Sequence, residues 1–150
     1  MRPFRFCAEA ALQLRRRQHE RALVDQASAE RAVIEADRAV EAATETVRRA
    51  DARLMHAAGS SVDLSQRLWQ VSWRVRCVRE RERLSAQRQE RLIELQDARD
   101  RAGQAHRQVR SLERLRERAF LDWTQLAELE ERKTMDALAV SQYVRRRDDR

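Results

Sequence analysis

Residues 12–57 read LQLRRRQHERALVDQASAERAVIEADRAVEAATETVRRADARLMHA, and their period decides the fold. Every seventh residue from Leu12 gives Leu12, His19, Gln26, Val33, Val40, Val47 and Leu54. Three positions further on stand Arg15, Ala22, Ala29, Ala36, Ala43, Ala50 and Ala57. Aliphatic residues at most of one core position and alanine at most of the other make a heptad helix, the pattern of a coiled-coil seam. Alanine buries little area, so each turn of the seam is weak, but it lets two helices approach closely. The seam is poorest at the start, where Arg15, His19 and Gln26 hold core positions.

Working outward, no proline or glycine falls between Cys7 and Ala58. The whole 150-residue chain has two glycines and one proline, too few for the turns of a sheet protein. The break comes at Gly59, Ser60 and Ser61, where Gly59 suits a helix C-cap and Ser61 or Asp63 an N-cap. Beyond it, Leu64, Leu68, Val71, Val75 and Val78 form a second apolar stripe, with Trp69 and Trp73 four residues apart on one face beside it. The pattern is interrupted over residues 79–91, RERERLSAQRQER, and resumes through Leu95, Ala98, Ala102, Ala105, Val109, Leu112, Ala119, Trp123 and Leu126. A less regular second helix is expected there.

These patterns predict an all-α chain: one long antiparallel coiled-coil hairpin with unequal arms, helix 1 over about 7–58, a turn at 59–62, helix 2 over about 63–144, and a frayed tail at 145–150. At 1.5 Å per residue the arms span roughly 75 and 120 Å. The first arm cannot cover the second, whose distal part must stand alone, pack on a partner or self-associate.

Charged residues make up 38% of the chain, with a formal net charge of +7, and Lys133 is the only lysine. The charge is unevenly placed. Residues 1–21 carry six Arg against two Glu, residues 22–58 five Arg against seven acids, and residues 74–91 seven Arg against three Glu. Such patches fit solvated faces or an acidic partner.

Catalytic chemistry finds no foothold. His19, His56 and His106 lack ligand spacing, and Cys7 and Cys77 share no motif, so neither a metal site nor a cofactor is expected. There is no glycine-rich phosphate loop, and carboxylates on a two-helix hairpin have no pocket to separate their pKa values. Direct nucleic-acid binding is disfavoured, because Glu80, Glu82 and Glu90 interrupt the arginine run and no basic region leads into a zipper. No run approaches the roughly 20 apolar residues of a membrane span, and the N-terminus has no signal-peptide core. A cytoplasmic protein is expected.

Three stretches together resemble the FliJ-like family, the central stalk proteins of flagellar type III export. They are the opening FRFCAEAALQLRRRQHERA, the Gly59–Ser61 break with Leu64, Leu68, Val71 and Val75 after it, and the C-terminal run LERLRERAFLDWTQLAELEERKTMDALAVSQY, with Leu112, Glu113, Leu115, Arg118, Glu130, Lys133, Asp136 and Ala139. The resemblance covers about 140 residues. It implies a non-catalytic stalk whose helix ends insert in the hexameric export ATPase and stimulate it, and whose hairpin tip faces the membrane export gate protein. Substrate-specific export chaperones are further implied partners, with attachment to the inner membrane through partners alone. Carried over by position, the ATPase-binding end is Phe4, Phe6, Leu12, Arg15, Leu115, Arg118, Phe120 and Trp123. The gate-facing tip is Leu54, Leu68, Trp69, Val71, Trp73 and Val75. The equivalent injectisome stalk shares this fold. A self-associating structural coiled coil and, behind it, a basic nucleic-acid-binding coiled coil are the readings from other classes.

Overall fold

The computed structural model describes residues 3–58 and 63–148, and it is all-α: α1 spans Glu9–Ala58 and α2 spans Leu64–Asp148. The two long helices pack together as a hairpin with arms of 50 and 85 residues. The expected turn at Gly59, Ser60 and Ser61 lies outside the described residues. Residues 145–148, read from sequence as a frayed tail, continue α2. Asp63 is the N-cap of α2: its carbonyl accepts the Arg67 amide at 3.1 Å, and its carboxylate accepts from the Ser65 hydroxyl. Gly103 sits within α2, and no described residue has positive φ.

Contacts divide the chain into two compact units, Glu20–Gln104 and Met1–His19 with Ala105–Arg150. In the first, the heptad of α1 packs as the sequence indicates. Val33, Val47, Ala50 and Ala57 are buried, and Ala22, Gln26, Ala29, Ala36, Val40, Ala43 and Leu54 are half-buried. Across from them, Cys77, Leu95, Ala98 and Ala102 of α2 are buried, while Gln70, Arg81, Leu84 and Arg88 are half-buried. Ion pairs register the helices. As the α1 partner steps back from Asp51 to Asp37 to Glu30, the α2 partner steps forward from Arg74 to Arg88 to Arg99, the last pair at 3.4 Å. That order is antiparallel. Arg67 also donates to the Ala57 carbonyl at 3.1 Å, supplying a partner for one of the carbonyls that the last helical turn leaves open.

Two sequence expectations are corrected here. The stripe Leu64, Leu68, Val71 and Val75 is not the seam: all four are exposed, and only Val78 is half-buried. The seam lies one residue earlier, through Gln70 and Cys77. Over 79–91, where the apolar pattern lapses and a less regular helix is expected, α2 is continuous helix. Gln70, Cys77 and Leu84 form one row at seven-residue spacing, and Arg81, Arg88, Leu95 and Ala102 form the other. The helix keeps one phase because Arg81 and Arg88 occupy core positions with their long apolar stems and reach out with their charged heads.

In the second unit, Leu12 is fully buried at 0% exposure, and Val109 is buried too. Burying a leucine is worth roughly 1.5–3 kcal/mol, several times an alanine methyl, so Leu12 anchors a thin seam. Arg16 donates to Glu113 at 2.8 Å and Arg116 pairs with Glu9 at 3.2 Å. His19 and His106 face each other across the seam with ring centroids 5.2 Å apart. Beyond Trp123, α2 has few covered positions, and residues 128–142 are exposed throughout.

Candidate interaction surfaces

The Glu20–Gln104 unit leaves its apolar surface at the start of α2. Leu64, Leu68, Val71 and Val75 are 71, 61, 48 and 38% exposed. At about 100° per residue they share a face roughly 100° away from the seam. Trp69 and Trp73 occupy a different flank, stacked with centroids 6.2 Å apart and planes 5° from parallel. The Arg76 guanidinium lies 5.5 Å from the Trp73 ring centroid, a cation–π contact. Trp73, Arg76, Cys77 and Glu80 with Ala43 and Thr46 of α1 line a mostly apolar niche of about 320 Å³. Of the six residues assigned to the gate-facing tip, Leu54 alone is half-buried, and the other five are exposed. They do not form one patch, because the aliphatic face and the tryptophan pair diverge around the helix.

A helix that is apolar on three sides is one that proteins normally cover. Here the seam side is the least apolar of the three. Gln70 Oε1 is buried there without a hydrogen-bond partner.

The basic stretch 74–91 is answered largely from within. Arg74 and Arg88 take Asp51 and Asp37 of α1, Arg83 takes Glu80 at 2.7 Å, and Arg91 takes Glu94 at 2.7 Å. The acid excess in residues 22–58 was the signal for this complement. The Arg83 hydrogen bond holds the Glu80 carboxyl below its ordinary value, and Gln26, then Arg99, do the same for Glu30.

In the other unit the structure gathers Phe4, Phe120 and Trp123. Phe4 meets Phe120 edge-on at 5.3 Å and Trp123 at 6.0 Å, and Phe120 stacks on Trp123 at 6.0 Å. Segment 3–8 is thereby folded back on α2. Phe6 is half-buried, while Phe120 and Leu115 stay about half exposed. Arg15 and Arg118 are exposed, and Arg15 bonds Gln18 at 2.9 Å. Leu12 belongs to the core and offers no surface. Glu113 is held below the usual carboxylate range chiefly by the Arg16 hydrogen bond, with Arg110 adding to it and burial opposing. Sequence reasoning missed the Phe4 cluster as a contact and the His19–His106 pairing, since neither lies within one helix turn.

Among the described residues no group of three or more His, Cys, Asp or Glu is placed to hold a metal ion. Among them, too, no helix is long and apolar enough to cross a membrane. The fold defines a class: an all-α two-helix hairpin with exposed apolar and basic faces. No family model matches the chain, and no curated protein or solved structure matches it either.

Proposed function

We propose that the chain is a non-catalytic stalk and coupling protein of the type III export apparatus, in its flagellar form or as the equivalent injectisome stalk. In this reading Phe4, Phe6, Arg15, Leu115, Arg118, Phe120 and Trp123 face the hexameric export ATPase, and Leu68, Trp69, Val71, Trp73 and Val75 face the export gate. Export chaperones are additional partners. The protein works in the cytoplasm, held at the inner membrane by its partners. The observation that carries the reading is the placement of the better apolar residues outside the seam: Leu64, Leu68, Val71 and Val75 stand in solvent while Gln70 is packed inward. A chain that keeps its aliphatics for an outer face at the expense of its own seam is built to be covered by something else. The type III assignment itself rests on the resemblance of the termini and the break.

The test is reconstitution with the cognate export ATPase. Hydrolysis and ring formation should rise on adding the protein. The Phe120→Ser/Leu115→Ser variant should lose that stimulation, whereas Val71→Ser/Val75→Ser should keep it and lose gate binding instead. The absence of both stimulation and association at low salt would reject the assignment.

A second reading, self-association, is favoured by Leu121, Leu126, Leu129, Met135, Leu138 and Val140, all exposed on α2. Sedimentation over a wide concentration range separates the two: a dimer abolished by Leu129→Ser/Leu138→Ser, without ATPase binding, selects it.

A further inference from the structure

Arg107, Arg110, Arg114 and Arg118 follow one another on α2 at intervals of three, four and four residues, which sets them on one helical face. At about 100° per residue this face points away from the seam positions Ala105, Val109 and Leu112. With Ser111 and Leu115 the four arginines line a shallow groove of about 640 Å³. Arg110 pairs with Glu113 at 3.2 Å, but Arg107, Arg114 and Arg118 make no ion pair among the described residues. The acids of this stretch do not answer them. Glu113 and Glu117 line a different groove, beside Phe4 and Phe120.

We propose that this face docks an acidic helix of another protein. Its carboxylates would fall at the same three-and-four spacing, and an apolar residue would meet the half-exposed Leu115. Two helices lying side by side share a rise of about 1.5 Å per residue, so a ladder spanning about 16 Å on one meets a ladder of equal length on the other. Planar guanidiniums bind carboxylates as a fork, with geometric specificity as well as charge. The one ring that lines the groove, His106, is turned to His19 at 5.2 Å, and no Phe, Tyr or Trp lines it, which disfavours a single nucleic-acid strand stacked on aromatic side chains. A second copy is also a poor fit. In the chain's own acid-rich stretch, residues 22–58, Glu30, Asp37, Glu45 and Asp51 are already paired with its own arginines, and Glu128, Glu130 and Glu131 are followed directly by Arg132 and Lys133. Of the residues assigned above to the ATPase-facing end, only Leu115 and Arg118 lie on this face.

The experiment uses the full chain and a fluorescein-labelled alanine-based helical peptide of about 20 residues. The peptide carries four Glu spaced three, four and four and one central Leu, and binding is read by anisotropy at low salt. Arg107→Gln/Arg114→Gln/Arg118→Gln should weaken binding about tenfold or more. Arg31→Gln/Arg38→Gln/Arg53→Gln, exposed positions of α1, removes equal charge elsewhere and should change it less than about twofold. A peptide with the same Glu residues scrambled around the helix should bind severalfold more weakly. All substituted arginines are surface residues of the two helices, and circular dichroism checks that each variant keeps its helix content. Equal losses in the two triple variants, or equal binding of patterned and scrambled peptides, overturn the proposal. Tighter binding of single-stranded RNA or duplex DNA through the same arginines also overturns it. None of these outcomes involves the export ATPase.

Discussion

Gln70 and Val71 are neighbours in sequence with opposite placements: the Gln70 side chain packs toward α1 with its Oε1 buried and unpartnered, while Val71 stands 48% exposed. A buried carbonyl oxygen without a donor costs about 1–3 kcal/mol. Replacing it by an apolar group of similar length removes that cost and adds burial. Gln70→Leu should therefore stabilise the protein by about 1–2 kcal/mol. Val71→Gln should change stability by no more than about 0.5 kcal/mol, as an exposed substitution. Chemical denaturation of both variants measures this. A costly Val71→Gln with a costly Gln70→Leu would show that Val71 is the seam residue.

The two thiols give an independent reading of the same phase. Cys7 is exposed and Cys77 is buried in the seam one heptad, about two helical turns, from Gln70. One thiol per chain should react quickly with an alkylating reagent under native conditions, mapping to Cys7, and two after denaturation. Rapid native labelling of Cys77 would mean that α2 turns a different face to α1.

Much of the hairpin was legible because α1 repeats without conflict: Leu12, Val33, Val47, Ala50 and Ala57 sit where the heptad puts them. The phase at the start of α2 was not. Hydrophobic periodicity picks the strongest apolar stripe, and over residues 64–78 that stripe is the outward one. What sets the seam is continuity with Leu95, Ala102 and Val109 further along one unbroken helix. The link runs through Arg81 and Arg88, core positions that a hydrophobicity pattern scores as surface. The surfaces were half legible for a similar reason. The residues assigned by resemblance are mostly exposed, but their grouping into an aliphatic face, a tryptophan flank and the Phe4 cluster depends on angles and fold-back that spacing alone does not state.

Acid should loosen the Met1–His19 and Ala105–Arg150 unit through Glu113. Its carboxyl is held below the ordinary value by Arg16 first and Arg110 after it, so the unfolded chain binds this proton more readily than the native one. The stabilisation is complete above the ordinary carboxylate value and is lost as the pH falls through the lowered native one. The melting temperature should drop between neutral pH and about pH 3, less so in Glu113→Gln and less at high salt, where exposed charges are screened. Thermal melts at two pH values and two ionic strengths check this. An identical drop in Glu113→Gln would remove Glu113 from the account.

Phe4 lies ahead of α1 and is held by rings on α2, at 5.3 Å from Phe120 and 6.0 Å from Trp123. Aromatic pairs of this geometry are worth about 0.5–1.5 kcal/mol each beyond simple burial. Phe4→Ala should thus cost about 1–3 kcal/mol, felt in this unit and not in Glu20–Gln104. Trp123 is the natural reporter once the exposed Trp69 and Trp73 are replaced by Phe. In that background Phe4→Ala should shift Trp123 emission to longer wavelength and raise its quenching by iodide, because the ring loses its cover on one side. Phe4→Leu keeps an apolar body without the edge-to-face contact, so it should fall between the two. Unchanged Trp123 emission and quenching in Phe4→Ala would show that segment 3–8 does not fold back on α2.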